Sequence, residues 1–308
     1  MSRSTRVVAT ALIAACALSA APAAGAVPSH AYTGLGSWVD LYNKRPWKHP
    51  DRVVAELTQR GVQTLYLETS SYKFKTAIVH PNAVGEYIDL AHDNGMTVVA
   101  WYVPSFKPVA RDLRRVRAAI DYVSPGGGSF DSFALDIEAT VVQDVTERNA
   151  RTRKLSRAIR RYAGDGYALG AIVPDPVGSV YWTDFPYPAL GRLYDAFMPM
   201  SYFTFRVEGP TAVRRYIRAN VRAVRERTGV EDLPVHPIGG IADAAKLSEV
   251  KAYVRAVFAE SAVGGSLYDF PLMRAGEWKR LARLRSKREA PADPGILPET
   301  RPAHPHLV

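Results

Sequence analysis

The sequence predicts the α/β class: a single-domain (β/α)8 TIM barrel. Eight short apolar or alternating runs recur at intervals of about 30–40 residues, each followed by an amphipathic stretch. Residues 27–285 form the segment that carries this rhythm, and its length matches the ~250 residues typical of that fold. An open doubly wound sheet is the rival, but it needs a Gly-rich phosphate loop after an early strand; Gly34-Leu35-Gly36 leads into the first strand instead.

The elements follow in order. Residues 35–42 read as a strand with Trp38, Asp40 and Tyr42 on one face. Asp51 is placed to cap a helix over 52–60, whose Val53, Val54 and Leu57 face inward and which Gly61 ends. The second strand, 63–70, turns Tyr66, Glu68 and Ser70 one way and Leu65 and Leu67 the other. A helix over 83–94 stops at Gly95 and leads to a nearly all-apolar strand, 97–103, as expected where both sheet faces are covered. A helix over 109–122 ends at Pro125-Gly126-Gly127-Gly128, before the fourth strand, 130–139. Helix 148–162, strand 168–173, a short helix within 186–194 and strand 196–202 come next. The basic helix 211–227, strand 235–241, helix 245–261, strand 266–270 and helix 277–285 complete the series.

Both ends stand apart from this pattern. Arg3 and Arg6 precede an apolar run, and Ala24-Gly25-Ala26 supplies a small-x-small cleavage site, so residues 1–26 read as a secretory signal peptide and the expected location is extracellular. Ile13-Ala14-Ala15-Cys16 resembles a lipoprotein processing site, but the apolar residues beyond Cys16 argue against a lipid anchor. Cys16 is the single cysteine, so a chain cleaved after Ala26 has no disulfide and no thiol chemistry. Residues 286–308, rich in proline and charge, read as a disordered tail in which His304 and His306 bind at most a stray metal. Losing Arg3 and Arg6, with no acid between them and Ala26, takes the net charge from +10 to +8. A basic surface suits an anionic neighbour such as a cell-wall polymer. Nucleic acid is not expected, because the basic residues spread along helices rather than clustering with aromatics.

The fourth strand carries the chemistry. Phe133, Leu135 and Ile137 alternate with Ala134, Asp136 and Glu138, so one face is apolar and the other ends in two carboxylates ~6–7 Å apart. At that spacing each charge raises the pKa of the other, which suits a general acid. In this fold the active site lies at the C-terminal ends of the strands. There the sequence places Asp40, Tyr42, Glu68, Trp101, Tyr102, Asp175, Tyr202, Tyr268 and Asp269, with Tyr181, Trp182 and Phe185 in the long loop after strand five. Acids and aromatics converging on one mouth suit a sugar, whose ring stacks on aromatic faces while carboxylates move protons. There is no G-x-S-x-G and no H-E-x-x-H, and the pair His236 and Asp243 makes no metal site, so no cofactor is expected.

Asp131-Ser132-Phe133-Ala134-Leu135-Asp136-Ile137-Glu138 resembles the strand-four signature D-G-x-D-x-D-x-E of chitinase-like (family 18) glycoside hydrolases, and Met200-Ser201-Tyr202 resembles their M-x-Y. The Asp136-Ile137-Glu138 triplet equally resembles the D-x-E of family 25 lysozyme-type muramidases. The resemblance implies Glu138 as general acid, Asp136 orienting a substrate 2-acetamido group and Tyr202 bonding to it. Ser132 stands for the glycine, Ala134 for the middle aspartate, and Phe203 where an aspartate follows the tyrosine. Two readings stay open. One is a secreted glycosidase acting on a polysaccharide, N-acetylhexosamine-containing or from a cell wall; the other is a carbohydrate-binding protein that has lost catalysis, which the missing acid at Ala134 favours. A polysaccharide deacetylase is a third, and it wants a metal cluster that the sequence does not offer.

Overall fold

The computed structural model of the chain describes residues 29–285. The expected signal segment 1–26, with Cys16, and the expected tail 286–308 lie outside the described residues. Eight strands pair in sequence order and close into one barrel. They are β1 (Gly34–Val39), β2 (Thr64–Ser71), β3 (Thr97–Val103), β4 (Ser132–Asp136), β5 (Leu169–Pro174), β6 (Ala196–Met200), β7 (Ile238–Ile241) and β8 (Gly264–Tyr268). Every neighbouring pair is parallel, and Gly34 beside Gly264 closes the ring. The helices between them are α1 (Pro50–Arg60), α2 (Pro81–Asp93), α3 (Val109–Ile120), α4 (Val145–Ala163), α5 (Tyr187–Leu190), α6 (Pro210–Thr228), α7 (Leu247–Ala259) and α8 (Ala275–Leu281). This is the (β/α)8 barrel that the repeat pattern predicts.

Element ends differ from the expectation in an informative way. β1 stops at Val39, β4 at Asp136 and β6 at Met200. Asp40, Glu138 and Tyr202 therefore stand just past the ladder, on loops that can aim them inward. α1 begins at Pro50 rather than after Asp51, because proline needs no N–H partner in a first turn. Asp51 instead lies within that turn, where its charge faces the helix dipole. Gly61 ends the helix in the left-handed conformation, at φ 71°.

Two apolar layers hold the barrel. Leu35, Leu65, Leu67, Phe133, Leu135 and Ile137 point outward and pack under the helices. Inside the barrel, Trp38, Tyr66, Val99, Trp101, Ala134, Ile172 and Met198 form a second cluster. Large rings fill this lumen because glycine faces them: a Cβ on Gly36 would sit 2.7 Å from the Tyr66 ring. Trp38 stacks on Tyr66 at 4.0 Å. The floor is polar but satisfied. His236 Nδ1–H donates to the Tyr32 carbonyl at 2.8 Å, its Nε2 meets Ser266 Oγ at 3.0 Å, and Trp38 Nε1 donates to the same oxygen at 2.8 Å. Burial lowers the His236 pKa to about 4, so the ring is neutral and structural.

Candidate active site

Carboxylates from four strands meet at the open, C-terminal end of the barrel. Asp40 follows β1, and its Oδ1 accepts from the backbone N–H groups of Tyr42 (3.0 Å) and Asn43 (3.1 Å). Its Oδ2 accepts from the Tyr268 hydroxyl at 2.7 Å, which ties the first loop to the end of β8. Glu68 lies in β2 at a register shift and is fully buried. Its Oε2 accepts from the Leu41 N–H at 2.8 Å, while its Oε1 has no partner among the described residues. Asp136, the last residue of β4, is buried, and its Oδ1 likewise has none. Glu138, two residues on, reaches solvent at the mouth. Asp269 is buried just after β8.

Burial first, and crowding after it, shifts Glu68, Asp136 and Asp269 toward the protonated form. Burial, with Asp40 and Glu138 adding their charge against the Leu41 N–H, pushes Glu68 up to about 8. Asp136 is raised well above the carboxylate range by burial first and then by Glu138 and Glu68. Glu138 is raised too, by desolvation among the mouth loops even though part of it is wet, with Lys73 opposing. Asp136 and Glu138 titrate as a pair rather than singly. Burial and Asp40 bring Asp269 to about 7.

Aromatic rings line the same opening. Tyr202, half-buried, sits 6.4 Å from the Tyr268 ring and 6.3 Å from Phe205, which is exposed. Trp101 packs edge-on to Trp38 at 5.9 Å, and its Nε1 has no partner among the described residues. Tyr181 is exposed and lies within electrostatic reach of Glu138, Asp136 and Asp175. Lys73 donates to the Tyr42 hydroxyl at 3.1 Å and stands over the Tyr42 and Tyr72 rings. A hollow of about 420 Å³ lined by Asp40, Tyr42, Lys44, Tyr268 and Asp269 flanks the carboxylates. Asp175 faces the rim, where it accepts from Arg206 Nε at 3.2 Å.

Two of the expected residues are elsewhere. Tyr102 points out of the barrel into the strand–helix core, and its hydroxyl donates to Asp112 Oδ1 at 2.7 Å. Trp182 is buried under the β5 loop, against Phe106 and Phe185, and donates to Asn149 Oδ1 at 2.7 Å. With Asp175, Phe185 and Tyr187 it lines a separate hollow beside the β5 loop; its neighbour Tyr181 is the ring within electrostatic reach of the mouth carboxylates. Asp131 lies at the other end of β4, with Oδ2 accepting from the Val98 N–H at 2.6 Å and meeting His92 Nε2 at 2.9 Å. Sequence reasoning missed Tyr72, Lys73, Phe205 and Arg206. Their signal was position alone: each lies within a few residues of the C-terminal end of a barrel strand. Among the described residues no group of three or more His, Cys, Asp or Glu side chains is placed to hold a metal.

Solved structures share this architecture. The chain is similar to an endo-β-1,4-mannanase from Thermotoga petrophila, at TM-score 0.59 and 11% identity over 79% of this chain and 69% of that one. It is similar to a chitinase from Chromobacterium violaceum, at TM-score 0.57 and 13% identity over 83% of this chain and 100% of that one. The spore cortex-lytic enzyme SleL of Bacillus cereus matches at TM-score 0.60 and 9% identity, over 82% and 74% of the two chains. No family model matches the sequence, and no curated protein does. At these identities the likeness is one of fold alone, the closed eight-stranded parallel barrel with its ring of helices.

Proposed function

We propose that this chain is a secreted glycoside hydrolase that cleaves a polysaccharide at the mouth formed by Asp40, Glu68, Asp136, Glu138 and Asp269. The observation that carries the reading is the Asp136–Glu138 pair: one carboxylate buried with an unpartnered oxygen, the other reaching solvent, both held toward the protonated form. A glycosidic oxygen leaves only when protonated, and a carboxyl group that keeps its proton near neutral pH supplies that step. Glu138 is the general acid, Asp136 tunes and orients it, and Tyr202 hydrogen-bonds the sugar beside them. Tyr42, Tyr181, Phe205 and Tyr268 supply faces for pyranose rings. The sugar-degrading enzymes that share the fold support this reading, since SleL is a spore cortex-lytic enzyme and the others are a chitinase and a mannanase.

The outer face is a separate matter. Arg214, Arg215, Arg218 and Arg222 line one groove on α6, and Lys251, Lys279, Arg280 and Arg283 line another between α7 and α8. This side suits an anionic wall polymer lying beside the substrate. Among the described residues no helix is long and apolar enough to cross a membrane.

Incubation with a panel of cell-wall and extracellular polysaccharides, reading both reducing ends and binding, tests the proposal. Reducing ends from at least one polymer, absent with Glu138→Gln, support it. Binding without turnover across the panel replaces it with the non-catalytic reading, which the alanine at 134 favours.

A further inference from the structure

We infer that the sugar taken by this mouth carries free, protonated amines: a de-N-acetylated hexosamine polymer rather than an N-acetylated, neutral or uronic one. The inference rests on the glycan-site reading above and narrows it.

Unmet hydrogen-bonding capacity is the first observation. Glu68 is 0% exposed and Asp136 6% exposed, each with one carboxyl oxygen unpartnered among the described residues. Both lie in the C-terminal halves of their strands, beneath the opening. Buried acceptors without donors are costly, and a ligand that donates to them gains what the apo site forgoes. The orphaned groups at this end that can donate are Trp101 Nε1 and Ser201 Oγ. Each ionised carboxyl oxygen accepts more than one hydrogen bond, so a ligand rich in N–H bonds fits these two acids better than one presenting a carbonyl. An ammonium brings three donors and no acceptor; an acetamido group brings one donor and an acceptor.

Charge is the second. Asp40, Glu68, Asp136, Glu138 and Asp269 crowd the mouth. Lys73 lies within reach of Glu68 and Glu138 but is held by the Tyr42 hydroxyl, Lys44 lines the flanking hollow, and Arg206 is paired with Asp175. Burial and crowding leave Glu68, Asp136 and Asp269 toward the protonated form; a cationic ligand lets them ionise against it, whereas a neutral sugar leaves them protonated and a uronate pushes them further that way. The rings at the rim strengthen the preference, since the faces of Trp and Tyr attract an ammonium within ~6 Å. With an amine against Glu68 and Asp136, the more exposed Glu138 remains to carry the catalytic proton.

The test uses the full chain with glucosamine oligomers of one length, with and without N-acetyl groups, a mannan oligomer as the neutral arm and a polyuronate as the anionic one. Calorimetry reads affinity and reducing-end release reads cleavage. The free-amine oligomer is expected to bind ~10-fold or more tightly than its acetylated form, with the advantage shrinking at high salt and in Glu68→Gln. Thermal melting of the variant verifies folding, and the wild-type comparison stands without it. Equal or tighter binding of the acetylated, neutral or anionic sugar overturns the inference, and cleavage of that sugar leaves the glycosidase reading intact. Preference for the amine without cleavage of any sugar upholds the inference and removes the hydrolase. Binding of no sugar at all overturns the inference.

Discussion

Trp101 and Ala134 are register partners on adjacent strands of the barrel, and both point into its lumen. The alanine stands where the chitinase-like signature has its middle aspartate, and it belongs with the indole to the buried apolar cluster that fills the lumen. The missing acid is therefore part of the packing and not an isolated loss. Ala134→Asp should bury a carboxylate against Trp101 in an apolar layer, next to an already crowded Asp136. We expect a loss of about 3–5 kcal/mol, the usual cost of an uncompensated buried charge, and no gain in turnover. A melting temperature equal to wild type would show that the lumen tolerates the acid and that Trp101 does not exclude it.

Stability should fall as pH rises. Glu68 at about 8 and Asp269 at about 7 hold protons in the folded state that the unfolded chain releases near pH ~4. Their contribution is fully present below pH ~4 and is lost as pH climbs through about 7–8. Melting temperatures at pH 5, 7 and 9 should descend by several degrees in that order, a kcal/mol being worth about 2–4 °C at this size. Glu68→Gln should flatten the slope, because an amide at that position faces Asp40, Glu138 and Lys73 without a charge to titrate. A profile that rises with pH in wild type contradicts the crowded-acid description of the mouth.

The barrel was legible because its strands and helices repeat, and because β4 shows its two faces so plainly: Phe133 and Leu135 outward, Ala134 and Asp136 inward. β3 gave no such guide. Both faces of a covered parallel strand are apolar, so nothing in Val98–Val103 told that Trp101 turns inward and Tyr102 outward. The loop after β5 was harder still, since loops carry no period. Trp182 folds back onto Phe106 and Arg148, while Tyr181, one residue earlier, lies within electrostatic reach of the mouth carboxylates. The Asp40–Tyr268 bond joins residues far apart in sequence and was visible only once the ring closed.

Tyr102 provides a control for the site. Its hydroxyl serves Asp112, which also accepts from the Phe106 N–H at 2.8 Å and so pins the turn after β3. Tyr102→Phe should cost about 1 kcal/mol of stability, the net worth of one hydrogen bond, and leave sugar affinity and turnover unchanged. A selective loss of affinity with unchanged melting would return Tyr102 to the binding surface.

The decisive pair is Glu138 and Asp136. Glu138→Gln keeps the shape and removes the transferable proton, so turnover should fall by ~10²–10⁴-fold, the usual contribution of a positioned acid–base group. Affinity should survive, because the amide still hydrogen-bonds and the residue supports no core. Asp136→Asn acts differently. It leaves Glu138 to titrate alone, so the raised second proton release of the pair is lost and the alkaline limb of the rate profile should move down. The single rate at neutral pH falls in both variants and does not separate them; the full pH profile does. If Asp136→Asn lowers the rate with no movement of the alkaline limb, the two carboxylates do not share a proton. If Glu138→Gln cleaves as fast as wild type, the acid is another member of the mouth, and Glu68, with its free buried oxygen, is the next to substitute.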